Sequence, residues 1–171
     1  MVTVSAETSL SSSLDDAWAA LGRRATYFYF PGVSRSSSGT ALDHALDLPI
    51  VDRQAQVATL SVARAPRDGP RERRFTLRGE LVTIRGRWRL EPTDAGVRVR
   101  LTLDYDIAAP LKTHAVNTLR SRSPLPIRTD ADEILSRAVD EFFETRFTEQ
   151  AADYCERLRA RLDGTQADRR A

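Results

Sequence analysis

Residues 84–107 read IRGRWRLEPTDAGVRVRLTLDYDI, and their reading decides the fold. Two alternating runs, 84–90 and 97–107, flank Pro92-Thr-Asp-Ala-Gly96, a cluster of turn formers. Such alternation is the period of a strand with one buried face. Side-chain parity then selects the register. Setting Trp88 opposite Leu101 also sets Leu90 on Val99, Gly86 on Leu103 and Ile84 on Tyr105. On the other face it sets Glu91 against Arg98, Arg85 against Asp104 and Arg87 against Thr102, with only Arg89 against Arg100 unfavourable. A slip of one residue drives arginines against apolar groups, so this register predicts an antiparallel hairpin with Trp88 and Tyr105 inward. Asp104 and Asp106 then face solvent.

Upstream of the hairpin the strand pattern continues. Leu42, His44, Leu46 and Leu48 share a parity, with Asp43 and Asp47 on the other face. Pro49 and Asp52 mark a turn, residues 54–63 read as a strand, and Pro66-Arg-Asp-Gly69-Pro70 reads as a loop. One or two strands follow between Phe75 and Leu90, with Gly79 near a turn. At the start, Val2, Val4, Ala6, Thr8 and Leu10 alternate with polar residues as a half-buried strand. Ser13 with Asp16 forms a capping-box signal, and Leu14, Ala17, Trp18 and Leu21 follow at helical spacing up to Gly22. A short aromatic piece, 25–30, ends at Pro31-Gly32.

Downstream, residues 108–129 are basic and broken by Pro110, Pro124 and Pro126. From 130 to 162 a long amphipathic helix is predicted, capped by Asp130 or Asp132. Its apolar stripe runs Leu135, Ala138, Phe142, Phe143, Phe147, Ala151, Cys155, Leu158 and Leu162, and Gly164 is its stop. Residues 165–171 read as a disordered tail. Strands followed by a helix define an α+β class in which the helix covers one face of a curved sheet. Residues 1–164 make one domain.

Composition narrows the chemistry. The 171 residues carry 26 basic and 24 acidic side chains, and Lys112 is the only lysine. Between Arg64 and Arg100 eleven arginines face five acids, a stripe that is either a solvated sheet face or a dock for an acidic partner. Cys155 is the only cysteine, and His44 and His114 are the only histidines, so a His/Cys metal site lacks ligands. No metal and no cofactor are expected. Gly-rich phosphate loops are absent, and Trp88 turns away from the basic stripe, which argues against nucleic acid. No apolar run reaches membrane-helix length, and MVTVSAETSL lacks the marks of a signal peptide, so a cytoplasmic protein is expected.

The opening strand with Leu14-Asp-Asp-Ala-Trp18, the Phe30-Pro-Gly-Val33 turn and Gly86-Arg-Trp88-Arg-Leu-Glu-Pro92 resemble the START-like, or Bet v 1-like, superfamily. The Asp94-Ala-Gly96-Val-Arg-Val99 turn and the terminal helix extend that resemblance to its polyketide cyclase/dehydrase and coenzyme-Q-binding branch. The order and spacing of these segments over most of the chain carry the resemblance. It implies a helix-grip fold: a curved antiparallel sheet wrapped around a long C-terminal helix, with two short helices near the N-terminus. It also implies an apolar ligand cavity. Residues 111–129 depart from the pattern, as a lid, an extra helix or a homodimer contact.

Two functions follow from the resemblance. The first is a polyketide cyclase or dehydratase working by cofactor-free acid–base chemistry, with His44 as proton carrier and Tyr29 or Tyr27 holding a carbonyl oxygen. An acyl carrier protein is its expected partner. The second is a carrier for a lipid, quinone or isoprenoid. Trp88, Tyr105, Gly86, Phe142, Phe143, Leu42 and Leu46 are the candidate ligand contacts in either case, with Gly86 either kinking the sheet or leaving room. Arg53, Arg78 and Glu80 have no assigned facing; an inward arginine would anchor a ketone or carboxylate. Cys155, on an apolar stripe without a basic neighbour, reads as a structural thiol.

Overall fold

The 84–107 hairpin forms with the register that parity selects: Trp88 opposite Leu101, Leu90 opposite Val99, Gly86 opposite Leu103 and Ile84 opposite Tyr105. The computed structural model describes residues 1–37, 41–48, 50–51, 54–63, 71–122 and 131–170, with backbone only for 165–170. The hairpin strands are β6 (Val82–Thr93) and β7 (Gly96–Ile107), longer than predicted and joined by a tighter turn. Before them come β1 (Val2–Leu10), α1 (Leu14–Leu21), a 3-10 helix (Arg24–Tyr29), β2 (Val33–Arg35), β3 (Leu42–Leu46), β4 (Gln54–Val62) and β5 (Glu72–Gly79). After them come α2 (Ala109–Arg122) and α3 (Ala131–Arg170). The Pro49–Asp52 turn is largely, and the Pro66–Pro70 loop wholly, outside the described residues, as are Arg53, Asp130 and 123–129.

Among the described residues seven strands form one antiparallel sheet in the order β1-β7-β6-β5-β4-β3-β2. Its concave face grips α3, the arrangement of a helix-grip fold. Alternation does what the sequence requires. Val4, Thr8 and Leu10 of β1 are buried while Thr3, Ser5, Glu7 and Ser9 are exposed. Ser13 caps α1, its hydroxyl accepting the Asp16 amide at 3.1 Å and donating to the Asp16 carboxylate at 2.8 Å. Of the arginine stripe, Arg73 does not lie on the convex face, but Arg74, Arg78, Arg85, Arg87, Arg89, Arg98 and Arg100 do. There Arg89 meets Glu91 at 3.1 Å, Arg74 meets Glu72 at 2.9 Å and Arg100 pairs with Glu7, exposed ion pairs that add little stability.

Four expectations need correction. Strand β2 begins at Val33, the last residue of what reads as a turn, and goes unread in the sequence because three residues are too few to show a period. Gly32 itself takes φ +76°, where a Cβ would stand 2.1 Å from the Ala45 carbonyl oxygen, so only glycine fits. The α3 stripe passes through Val139 and not Ala138, which is exposed, and it includes Tyr154. Asp132 lies inside the first turn and is not the cap, and α3 continues through Gly164 to Arg170, with no positive φ at that glycine. A glycine stops a helix by adopting the left-handed cap, and this one does not. Part of the 111–129 departure is an extra helix, α2, which lays Leu111 and Ala115 into the core beside α3.

Candidate functional site

The concave side of the sheet is lined by rings. Phe30 meets Tyr154 at 5.0 Å, Tyr154 meets Trp88 at 5.3 Å, Trp88 meets Phe75 at 6.2 Å, and Phe75 meets Tyr27 at 4.7 Å between centroids. A second stack joins Tyr105 to Phe147 at 3.8 Å and Phe147 to Phe143 at 5.7 Å. These rings come from the sheet, the 3-10 helix and α3, so the grip closes on aromatic side chains. The space left among Tyr27, Phe30, Leu60, Phe75, Leu77 and Ile84 is about 10 Å³, at the threshold for one water. Gly86 does leave room, but the Phe75 ring takes it: a Cβ at 86 would fall 2.1 Å from two Phe75 ring carbons.

His44 faces inward with Leu42 and Leu46, and all three are about 1% exposed. Its Nδ1 lies 3.1 Å from Gln56 Nε2. Gln56 determines which proton the imidazole holds. The Gln56 Oε1 accepts from the amides of Leu81 (2.8 Å) and Val82 (3.0 Å), which fixes the amide orientation. The Nε2 therefore donates, to the Val82 carbonyl at 2.9 Å and to His44 Nδ1. His44 Nδ1 is the acceptor, so its proton sits on Nε2. That N–H is buried and has no acceptor among the described residues. Burial lowers the His44 pKa to about 4, so the ring is neutral at pH 7. The slot for Gln56 exists because residue 79 is glycine; a Cβ there would lie 2.2 Å from the Gln56 amide.

The two tyrosines part company. Tyr27 is buried and donates its hydroxyl to the Leu21 carbonyl at 2.9 Å. Burial raises its pKa well above the phenol range, against the opposing Arg73 charge and Trp88. Tyr29 is half-buried and opens on a separate cleft of about 260 Å³ with Ser12, Ala17, Thr26 and Leu162. Trp88, Tyr105 and Phe143 are fully buried, and Phe142 is only half-buried at the edge of the core. The Tyr105 hydroxyl has no hydrogen-bond partner among the described residues, and burial raises its pKa too. Arg78 and Glu80 are exposed. Cys155 is buried and burial pushes its thiol up to about 12, an inert structural group.

Sequence reading missed Gln56, Tyr154 and Arg73. Arg73 shares the inward parity of Phe75 and Leu77, a signal available in the sequence. It also missed a surface groove of about 600 Å³ between the Gly32–Asp47 edge of the sheet and α3. Arg146 spans that seam, donating to the Asp47 carboxylate at 2.6 Å and the Asp47 carbonyl at 3.2 Å. The Glu149 hydrogen bond and the Asp47 charge raise its pKa further.

No family model and no curated protein sequence matches the chain. Solved structures do. A protein from Thermus thermophilus superposes with a TM-score of 0.51 at 15% identity, over 91% of this chain and 96% of that one. A protein from Chromobacterium violaceum gives 0.52 at 11% identity, over 95% and 99%. The di-domain ARO/CYC StfQ from the steffimycin biosynthetic pathway gives 0.49 at 16% identity, over 98% of this chain and 52% of that one. Identities this low show the fold and nothing finer. The fold is a helix-grip fold, a curved antiparallel sheet around a long C-terminal helix, as the order of the sequence motifs implied. No helix among the described residues is long and apolar enough to cross a membrane.

Proposed function

We propose that this protein binds an apolar small molecule carrying a hydrogen-bond-accepting oxygen, held between the sheet and α3, and that it binds without catalysing. The observation that carries the reading is His44. Its Nδ1 is committed to Gln56 and its Nε2–H is buried without an acceptor among the described residues. An unmet buried donor costs about 1–3 kcal/mol, and a ligand carbonyl would satisfy it. The ligand enters by displacing aromatic rings that now fill the grip.

Cyclisation of a poly-ketone asks for a proton acceptor inside the site. His44 offers a donor, and no carboxylate is buried among the described residues. As a neutral donor His44 would polarise a carbonyl but would not take up its α-proton. The binding reading needs neither an acyl carrier protein nor a second copy of the chain.

The test is to incubate wild type and His44→Ala with a small-molecule extract of the source organism and analyse bound and free compounds by chromatography and mass spectrometry. The expected result is a compound returned unchanged by both proteins and retained less by the variant. A compound returned by wild type with altered retention, or lighter by one water, but unchanged by His44→Ala, would replace this reading with the cyclase.

A further inference from the structure

Arg73 points to the concave side of β5 with Phe75 and Leu77, while Arg74 and Arg78 point outward. Its guanidinium carbon stands 4.3 Å from the centre of the Trp18 ring. Its Nη1 presses so close to Gly22 that a Cβ there would come within 2.9 Å. Arg71 lies over the same indole at 5.6 Å, but Asp15 answers its charge at 3.2 Å. Among the described residues no acid answers Arg73, and its Nε is buried without an acceptor. Directly across the β5–β6 pair stands Trp88, whose indole nitrogen approaches the Tyr27 oxygen but not in hydrogen-bonding geometry.

Two guanidiniums over one indole with a single carboxylate leave the corner one negative charge short. Two buried N–H donors on facing positions of adjacent strands lack acceptors, and residues so paired are neighbours within about 5.5 Å at Cβ. The indole face and the packing against Gly22 restrict the guanidinium, so its edge is presented in a fixed orientation. A planar group with two anionic oxygens suits that edge and has lone pairs left for the indole N–H. Two rings border it, Phe75 at 6.2 Å from Trp88 and Tyr27 at 4.7 Å from Phe75.

We infer that Arg73 and Trp88 form the head-group site for a carboxylate, and that the ligand class is an amphipathic carboxylic acid whose apolar part enters the grip. This rests on the binding reading above and adds a second polar end to the molecule, at the far end of the sheet from the oxygen that faces His44. Trp18 acts as a positioning residue, holding the guanidinium without touching the acid.

Dodecanoate and dodecan-1-ol, equal in chain length and different in head group, separate the two claims. Each is titrated by calorimetry at neutral pH into wild type, Arg73→Gln and Arg73→Lys, all checked for native circular dichroism. Charge-assisted hydrogen bonds of about 1.5–3 kcal/mol predict at least about a tenfold preference of wild type for the acid. Arg73→Gln is expected to bind the two probes alike, the acid having lost its preference. Arg73→Lys should keep part of the preference, having the charge but not the fork. Equal binding of acid and alcohol by wild type overturns the carboxylate site and leaves the binding reading intact. Binding of neither probe overturns both.

Discussion

The pairing of His44 with Gln56 has a consequence for stability. An unfolded histidine titrates near 6.5 and the folded one near 4, so between those values the unfolded state holds the extra proton. Stability is therefore full above pH 6.5, falls as the pH drops toward 4, and is flat in this term below it. At about 1.4 kcal/mol per pH unit the loss is roughly 3 kcal/mol. Urea unfolding of wild type and His44→Gln across pH 4–7 should show the slope in the first and a shallower one in the second. Parallel curves would mean that His44 protonates freely in the folded protein. The facing of His44 was legible from parity with Leu42 and Leu46. Its partner was not, because Gln56 reaches the imidazole only through the slot that Gly79 leaves, and that requires knowing that β4 lies between β3 and β5. Gly86 tells the same story. Its position among inward bulky residues was readable, but its tenant, Phe75, comes from the adjacent strand, whose register the sequence leaves open. Gly86→Ala should cost about 1–3 kcal/mol by overpacking. Adding Phe75→Leu should recover most of it in a double-mutant cycle, and simple additivity would mean the two sites do not touch.

At the scale of elements, what reads well is what alternates or repeats. Strands β1, β6 and β7 have one face on the core over nine to twelve residues, long enough for period and register to declare themselves. Strand β2 has three residues and is defined by pairing with β3 alone, so no local pattern could find it. Helix ends divide in the same way. Ser13 satisfies the Asp16 amide in the first turn of α1, a local hydrogen bond visible in sequence, and Ser13→Ala should cost about 1 kcal/mol. Gly164 misleads because a glycine stops a helix only if the chain takes a left-handed turn there. Nothing lies within 4 Å of a Cβ built at Gly164, and the helix runs on. Gly164→Ala should therefore stabilise, by up to about 1 kcal/mol, less whatever the terminal turns lose by fraying. A rise in the urea midpoint checks this. A fall would show that the helix ends at the glycine.

Across the whole molecule, the sheet is strongest where its long strands meet and weakest at the β2 edge. β6 and β7 pair over twelve residues, and β1 pairs with β7 over nine while α3 packs against it, so that edge is held from two sides. β2 contributes three pairs and borders the groove that Arg146 spans to reach Asp47. Because that ion pair is largely solvent-exposed, it holds the seam by no more than about 1 kcal/mol. Opening is therefore cheapest between the β2–β3 edge and α3, and that seam is the natural route for a ligand that must displace rings from the grip. Amide hydrogen exchange should rank the strands accordingly: slowest in β6 and β7, fastest in β2 and β3. Asp47→Asn should speed exchange in β3 and leave β6 and β7 unchanged. It should also raise the association rate of dodecanoate while changing its affinity by less than about fivefold, since a gate alters both directions alike. Uniform acceleration across the sheet would mean that the protein opens only by global unfolding and that the seam is not the entrance. An unchanged association rate with faster exchange in β3 would place the entrance elsewhere on the grip.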